Sequence, residues 1–396
     1  MQWRHPGHEF DGEAKRILQV FDNGRKIYVF GAGILGRDIR QRLELFGCFG
    51  GYVDNDKGKQ KNGVDGERVM SFVEYMALSE KGILVLAADL KNIPAIRSQV
   101  TGAGLIETED YYLWIDFTKR IYPILITYFY DKSYVELAQI SLTEKCTLKC
   151  RKCAHACPYA EDSIEELSME DVYDSADSFF KRVDIVREFV LIGGEPLLYK
   201  KLDEVVKYIG ERYRHKIITF SIATNGTIVP SEQLLEQCVK FRVIFKVSNY
   251  SASVPRLVPK YERLEQVLKR CGADYEIGAA EMEWFDYGFD YVDQSDASQS
   301  DMMKLFDSCK TNCREVRRNR YYYCVMARSV SENMGFGVGN DDYLDLEKMS
   351  DQEYKKILLE FNLGYSDKGY LDMCRHCNGG VLAKRKRLRA AEQLGE

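Results

Sequence analysis

The sequence of 396 residues predicts an α/β protein in three parts, and two observations lead to this prediction. Strand-like apolar runs alternate with helical patterns over most of the chain, which is typical of parallel sheets. Most of the twelve cysteines stand in two groups, one near residue 150 and one beyond residue 308. We therefore expect an N-terminal domain at 1–115, a connecting segment at 116–133, a partial barrel at 134–300 and a cysteine-rich region at 301–396.

Composition narrows the classes of function. A formal net charge of -5, with 45 % hydrophobic and 30 % charged residues, is ordinary for a globular protein and gives no case for nucleic-acid binding. The first residues, Met1 to His8, lack an apolar signal core, and the sequence has no apolar run of about eighteen residues. We expect a cytoplasmic protein without a membrane partner, in which the many cysteines bind metal.

The N-terminal part has the strand, glycine loop, helix and strand order of a Rossmann-like domain. The run 26–30 reads as a buried strand, and Gly31, Gly33 and Gly36 follow it before a helical pattern at 37–46. A helix N-terminus can hold phosphate, and Asp54 stands where an acidic residue binds ribose. These four residues are candidates for nucleotide binding. Many such domains bind no dinucleotide, and the stretch 51–56 resembles domains attached to sugar-modifying enzymes, which leaves nucleotide-sugar or partner recognition open.

Strands and helices alternate again in the central part. Strands are expected at 135–142, 187–192, 216–222, 242–248 and 274–278, and helices between them, as at 202–212, 231–241 and 260–270. Repeated βα units predict a parallel sheet that closes, at least partly, into a barrel.

A cysteine motif follows the first of these strands, with Cys146, Cys150 and Cys153 in C-x3-C-x2-C spacing. Three thiolates on one loop can hold three irons of a cubic iron–sulfur cluster and leave the fourth iron open to a small molecule. The spacing resembles that of the radical S-adenosylmethionine (SAM) superfamily, and the resemblance extends from about 135 to 380. A structural zinc loop is the alternative, although paired C-x2-C knuckles are more usual there.

The resemblance implies a partial (βα)6 TIM-like barrel, a [4Fe-4S] cluster and SAM as cofactors, and a set of SAM-binding residues. Gly193, Gly194, Glu195 and Pro196 match the motif that contacts the amino group of SAM. Polar residues at the ends of the next strands are candidates for its ribose or carboxylate: Ser221, Thr224, Asn225 and, more weakly, Ser248 and Asn249. A simple turn or helix cap is the alternative reading of these polar residues.

The loop departs from the family pattern at one position and carries two further residues of interest. Lys152 stands where the family often has an aromatic residue near adenine. Cys157 is a spare thiol that could donate a hydrogen atom, although a bystander role is the expectation, and His155 is expected to pack or cap.

The C-terminal cysteines resemble the SPASM and Twitch extensions, which hold auxiliary iron–sulfur clusters. Cys324, Cys374 and Cys377 are expected ligands of one such cluster. The fourth is Cys309 or Cys313, and a turn residue five positions before Cys324, Asn319, favours Cys309. A zinc ribbon from the same cysteines is the rival interpretation. The basic stretch 384–389 is expected to form a solvated helix face.

These expectations combine into a hypothesis about function. The resemblance implies reductive cleavage of SAM to a 5′-deoxyadenosyl radical that takes hydrogen from a substrate, with electrons supplied by a reductase such as flavodoxin or ferredoxin. The Rossmann-like domain favours oxidation or epimerisation of a sugar, a nucleotide-sugar or another small hydroxylated molecule. A peptide maturase and a non-enzymatic metal-binding or redox-sensing protein remain alternatives. The sequence identifies no catalytic residue beyond the cofactor site.

Overall fold

A computed structural model describes residues 10–21, 24–161, 166–309, 311, 313–379 and 386–395. It divides into two compact units, an N-terminal unit at Phe10–Asp131 and a barrel unit that contains Lys132–Glu396. The first nine residues, which bear on the expected lack of a signal core, lie outside the described residues. So do Lys384 and Arg385 of the basic stretch.

The N-terminal unit contains a five-stranded parallel sheet in the order β3-β2-β1-β4-β5, and the predicted strand at 26–30 corresponds to β1. The β4 strand, which lies between β1 and β5, is buried throughout, as expected for a strand covered on both faces. The strands are β1 (Ile27–Phe30), β2 (Phe49–Val53), β3 (Val69–Met70), β4 (Ile83–Leu86) and β5 (Tyr111–Leu113). The helices are α1 (Asp11–Phe21), α2 (Ile34–Glu44), α3 (Lys57–Asn62), α4 (Phe72–Met76), α5 (Ile93–Gly102), α6 (Trp114–Asp116) and α7 (Tyr122–Phe129).

The glycine loop between β1 and α2 is shaped by the chain itself. Gly31 has a φ of +115°, and a Cβ there would overlap the carbonyl oxygen of Ala87. A Cβ on Gly36 would overlap the carbonyl oxygen of Gly31, whereas Gly33 has open space around it. Two of the three glycines are therefore required for packing, irrespective of any ligand.

The barrel unit contains an eight-stranded sheet in the order β10-β9-β8-β7-β6-β12-β13-β14. Neighbours from β10 to β12 run parallel, which gives six parallel strands, and β13 and β14 continue the sheet antiparallel. The strands β6 to β10 match the five predicted strands of this part of the chain within a few residues. The strands are β6 (Tyr134–Ser141), β7 (Ile185–Ile192), β8 (Ile217–Thr224), β9 (Val243–Val247), β10 (Tyr275–Ile277), β11 (Glu283–Phe285), β12 (Arg314–Arg317), β13 (Arg320–Tyr322), β14 (Tyr343–Asp345) and β15 (Arg387–Arg389).

Helices cover the apolar face of this sheet. Phe179 and Phe180 of α8 pack on Phe189 of β7, with ring centroids 5.7 and 5.1 Å apart. Consecutive residues of a strand point to opposite faces, so the other face of β6 to β9 carries a separate set of side chains. The helices are α8 (Met169–Arg182), α9 (Leu202–Tyr213), α10 (Glu232–Phe241), α11 (Val258–Cys271), α12 (Gln299–Asp307), α13 (Val325–Met334) and α14 (Tyr354–Asn362).

The C-terminal stretch corrects one expectation. Residues Arg387–Arg389 form β15, which pairs antiparallel with β11, and not the predicted helix face. Arginine side chains are exposed on the outer face of a helix and also on the outward face of a strand. The basic pattern alone therefore did not distinguish a helix from a strand. Within the described part of the chain, every helix is too short or too polar to cross a lipid bilayer.

The glycine loop yields a paired test. We expect Gly36→Ala to lower the stability of the N-terminal unit by about 1–3 kcal/mol, since the added methyl group must displace the loop backbone. Gly33→Ala, which meets nothing within 4 Å at a φ of -100°, should leave stability within about 0.5 kcal/mol. Urea unfolding followed by circular dichroism measures both, and equal stability of the two variants would contradict the interpretation.

Candidate active site

Three loops meet at one edge of the parallel sheet because the carboxyl ends of parallel strands lie together. The loop after β6 carries Cys146, Cys150 and Cys153, the loop after β7 begins with Gly193, and the loop after β8 begins at Asn225. We refer to residues 142–157 as the cluster loop.

The glycine pair after β7 holds the cluster loop by backbone contact. The N–H of Gly194 donates to the carbonyl of Thr143 at 2.8 Å, and the N–H of Glu195 donates to the carbonyl of Lys145 at 2.8 Å. A Cβ on Gly193 would overlap the carbonyl oxygen of Thr143, and one on Gly194 that of Lys145. The two loops can approach this closely only because both positions lack a side chain.

Glu195 joins the second loop to the third. Its carboxylate is fully buried and accepts hydrogen bonds from the Thr224 hydroxyl at 2.8 Å, the Asn225 N–H at 2.8 Å and the Leu197 N–H at 3.1 Å. Burial raises the pKa of Glu195. In this geometry Glu195 lies behind the site and positions the loop that contains Asn225.

A cavity of about 310 Å³ opens between these loops. The three cysteines of the cluster loop and four aromatic side chains line it. Predicted SAM-binding residues contribute Gly193, Gly194, Thr224, Asn225 and Ser248, and the aromatic wall consists of Tyr250, Trp284, Phe285 and Tyr287.

Some predicted residues lie outside this cavity. Ser221 is fully buried within β8, and its hydroxyl donates to Glu188 at 2.9 Å. Pro196 is buried in a short 3-10 turn, and Asn249 accepts a hydrogen bond from the N–H of Ser251. Strand position explains the difference for Ser221, since it precedes the carboxyl end of β8 by three residues.

The three thiols of the cluster loop have different environments. Burial raises the pKa of Cys146 to about 11 and that of Cys150 to about 12. A hydrogen bond with Cys157 lowers the pKa of Cys153 to about 7. The side chain of Asn225 donates to Cys146 with an N–S distance of 3.5 Å. Burial opposes free thiolates here, so bound iron would supply the charge that stabilises them.

Lys152 and His155 also line the cavity. Lys152 has a φ of +60°, and its ammonium forms ion pairs with Asp286, at 3.3 Å, and Asp290. These two carboxylates draw the lysine toward the segment after β11 and hold the strained turn. Burial lowers the pKa of His155 to about 4, so its imidazole is neutral at physiological pH.

A second cavity, of about 170 Å³, contains four of the C-terminal cysteines. Cys309, Cys324, Cys374 and Cys377 line it, whereas Cys313 does not. Phe285 and Tyr287 line both cavities. Among the described residues, no three His, Cys, Asp or Glu side chains are gathered closely enough to share a single metal ion.

A buried charge network next to the cluster loop was not anticipated from the sequence. The guanidinium of Arg328, in α13, contacts Glu144, which precedes Cys146 by two residues, and Glu315 of β12 at 2.7 Å. All three side chains are almost completely buried. Burial alone would raise the pKa of Glu144, but Arg328 and Asn333 hold it below its usual value. Residues 144, 315 and 328 are far apart in sequence, and only the fold brings them together.

The carboxylate of Asp54, in the N-terminal unit, is already hydrogen-bonded to other residues of the chain. Its carboxylate accepts hydrogen bonds from the N–H of Ala32 at 2.8 Å, the N–H of Asp56 at 2.9 Å and the ammonium of Lys59 at 2.8 Å. Burial alone would raise the pKa of Asp54, but these donors hold it below its usual value. Asp54 therefore ties β2 to the glycine loop, and a ribose would compete with these bonds.

The comparisons with known proteins agree with this arrangement. The family model described as the radical SAM superfamily matches residues 140–272, which span the cluster loop and the strands β7 to β9. The chain therefore contains a stretch similar to the radical SAM superfamily, which covers about a third of its length. A [4Fe-4S] cluster and SAM are the cofactors of this superfamily, and the three thiols and the adjoining cavity provide ligands and space for them.

Curated relatives carry a particular name. The chain is 26 % identical over 264 residues to GTP 3′,8-cyclase of Aliarcobacter butzleri (strain RM4018), covering 62 % of this chain and 76 % of that protein. It is 28 % identical over 149 residues to GTP 3′,8-cyclase of Sulfurovum sp. (strain NBC37-1), covering 36 % and 44 %.

Solved structures give weaker matches. One is native anSMEcpe with bound AdoMet and Cp18Cys peptide, at 19 % identity and a TM-score of 0.29 over 36 % of this chain and 42 % of that one. Another is BtrN in complex with AdoMet and 2-DOIA, at 14 % identity and a TM-score of 0.42 over 62 % and 93 %.

The position of Asp54 predicts a pH-dependent effect on stability. A carboxylate whose pKa falls on folding stabilises the protein above its unfolded pKa, near 3.9, and loses that contribution as pH falls through the folded value. We expect Asp54→Asn to cost about 1–3 kcal/mol near pH 7, with the difference from the parent shrinking below about pH 4. Denaturant unfolding across pH measures it.

The control is Asp65→Asn, since the Asp65 carboxylate forms an ion pair with Arg37 in which both side chains are about half exposed. Unchanged stability of Asp54→Asn at neutral pH would contradict the bracing role and would favour ribose binding.

Proposed function

We propose that this enzyme uses a SAM-derived radical to remove hydrogen from a sugar or another small hydroxylated molecule, with oxidation or epimerisation as the outcome. One observation carries the proposal: three thiols in C-x3-C-x2-C spacing, the glycine pair and the polar end of β8 all line one cavity.

The proposed cluster ligands are Cys146, Cys150 and Cys153. A cluster bound there would deliver the electron that cleaves SAM to methionine and a 5′-deoxyadenosyl radical. The protein must hold SAM against the open iron and exclude water from the radical. We assign the aromatic wall from Tyr250 to Tyr287 to the exclusion of water.

The residues proposed to hold SAM follow from the cavity lining. Thr224, Asn225 and Ser248 offer hydroxyl and amide groups, and Gly193 and Gly194 allow close approach of the ligand to the backbone. Glu195 is proposed to act through Thr224 and Asn225, whose positions its carboxylate fixes.

The cavity-lining face of the sheet, which is opposite the helices, supports a polar substrate. Residues two apart on a strand share a face, so Ser221 lies on the face of Ala223, and Lys246 on that of Ser248, and both Ala223 and Ser248 line the cavity. Glu188 pairs with Lys246 at 2.6 Å and accepts from Ser221 at 2.9 Å. Such a cluster of acceptors and donors beneath the SAM cavity suits hydroxyl groups of a substrate.

The second cavity supports an auxiliary [4Fe-4S] cluster in a Twitch-like extension. We propose Cys309, Cys324, Cys374 and Cys377 as its ligands, since these four share the cavity and Cys313 is outside it. A cluster there would accept the electron released in substrate oxidation. Transfer of a hydrogen atom from the carbinol carbon to deoxyadenosyl, of a proton from the hydroxyl to solvent and of one electron to a cluster held by these four cysteines would convert an alcohol to a carbonyl.

Cyclisation of a nucleotide is the second candidate, because the curated relatives are named GTP 3′,8-cyclase. The charge of the cavity argues against a triphosphate. Among the described lining residues Lys152 is the only Lys or Arg, and Asp286 and Asp290 already bind it. Zinc in place of the auxiliary cluster, a peptide substrate and a non-enzymatic role are further outcomes that the following tests distinguish.

The first test is anaerobic cleavage of SAM. Protein reconstituted with iron and sulfide should contain about eight irons per chain, four for each cubic cluster, and form 5′-deoxyadenosine with dithionite or reduced flavodoxin. Cys150→Ala should abolish deoxyadenosine, and Cys271→Ala, at an exposed cysteine, should not. Mass spectrometry with panels of sugars, nucleotide-sugars, GTP and peptides then identifies the substrate. A fully loaded protein that cleaves no SAM with any of them would overturn the proposal.

A pair of serine variants tests the auxiliary site. Cys309→Ser should lose the second cluster and retain about four irons, whereas Cys313→Ser should retain about eight, because only the Cys309 thiol lines the cavity. Iron, sulfide and zinc analysis with Mössbauer spectroscopy provides the readout. If Cys313→Ser instead loses the second cluster and Cys309→Ser retains it, the fourth ligand is Cys313. Stoichiometric zinc would favour a zinc ribbon.

A further inference from the structure

The C-terminal segment 386–395 lies directly on the cluster loop. The N–H of Arg151 donates to the carbonyl of Glu392 at 2.6 Å, and the N–H of Leu394 donates to the carbonyl of Lys149 at 2.7 Å. These bonds flank an antiparallel bridge between Cys150 and Gln393. The segment therefore adds a short strand to the loop that carries the proposed cluster ligands.

The same segment also holds the aromatic wall. The β15 strand pairs antiparallel with β11, and Trp284 lies opposite Leu388. The N–H of Asp286 donates to the carbonyl of Lys386 at 2.9 Å, just beyond this pair. The chain then turns at Ala391, which is fully buried with a φ of +59°, and reaches the cluster loop. One segment thus connects two sides of the SAM cavity.

The side chain of Gln393 reaches a cluster-loop thiol. Its Nε2 donates to Sγ of Cys150 at 3.3 Å and to the carbonyl of Ala391 at 2.7 Å. Its Oε1 accepts from the N–H of Lys149 at 2.9 Å. The Lys149 N–H and the Ala391 carbonyl fix which end of the amide is which, so an N–H group faces the sulfur. Gln393 is only 8 % exposed, which shields this bond from water.

We propose that Gln393 is a positioning residue that raises the reduction potential of the SAM-binding cluster through its hydrogen bond to Cys150. This inference rests on the proposed role of Cys150 as a cluster ligand. A donor at a ligand sulfur offsets negative charge and favours the reduced, more negative cluster. Cys146 receives a comparable bond from Asn225, whereas the Gln393 donor comes from a segment more than 240 residues away in sequence.

The decisive variants keep the approximate size of the side chain and remove the amide donor. Gln393→Leu lacks the N–H, and Gln393→Glu carries an acceptor toward the sulfur. We expect the potential of the cluster to become more negative in both, and more so for glutamate. At fixed reductant potential the rate of SAM cleavage should fall about 10- to 100-fold, as is usual for partners of metal ligands. Gln233→Leu, at an exposed glutamine of α10, is the matched control.

Redox titration followed by electron paramagnetic resonance measures the potential, and the signal that changes on SAM addition belongs to the cluster with an open iron. A SAM-responsive cluster of unchanged potential in both variants would overturn this inference and leave the proposed function intact. A parent protein without a SAM-responsive cluster, or a Cys150→Ala variant that retains it, would overturn the proposed function itself.

A measurement on the unmodified sequence covers the case in which the variants lose iron. Protein labelled with 15N at glutamine side chains should exhibit hyperfine coupling between one such nitrogen and the reduced, SAM-responsive cluster. Absence of this coupling in fully loaded protein contradicts the inference, whatever the fate of the variants.

Discussion

The site depends on the backbone contact between the glycine pair after β7 and the cluster loop. Hydrogen bonds from Gly194 and Glu195 to the carbonyls of Thr143 and Lys145 register the two loops, and a side chain at Gly193 or Gly194 would separate them. Because the direction of the chain is then set, the next side chain, Glu195, points away from the cavity and into the protein. There it orders the end of β8, so the glycine contact governs the third loop as well.

The burial of the three thiols also has an electrostatic consequence. A cluster with three thiolates is a concentrated negative charge in a poorly solvated cavity, and a buried charge needs hydrogen-bond donors. The structure surrounds the thiols with donors from separate parts of the chain: Asn225 at Cys146, Gln393 at Cys150 and Cys157 at Cys153. The contact of Cys157 with Cys153 lowers the pKa of the Cys153 thiol. These positions differ chemically, so the three irons they would hold are not equivalent.

The sequence predicted those features that are encoded locally. Strand periodicity located β6 to β10, and motif spacing identified the loops that meet at their ends. Sequence patterns did not predict the roles of residues that depend on contacts between distant segments. Ser221 has the right chemistry for SAM but lies within β8, and Glu195 is turned inward. The strand at Arg387–Arg389 forms only because β11 offers an edge, and a basic hexapeptide gives no sign of that partner.

The buried ion network extends this dependence to the auxiliary region. Arg328 lies on α13, a helix that begins directly after Cys324, and its guanidinium contacts Glu144 at the start of the cluster loop. Burial raises the pKa of Glu315 to about 7, and the Arg328 guanidinium opposes this rise. Buried ion pairs contribute little net stability, yet they are costly to break and therefore specify geometry. A single helix thereby relates a proposed ligand of one cluster to the loop proposed to hold the other. Phe285 and Tyr287 line both cavities, so the two proposed cluster sites adjoin each other.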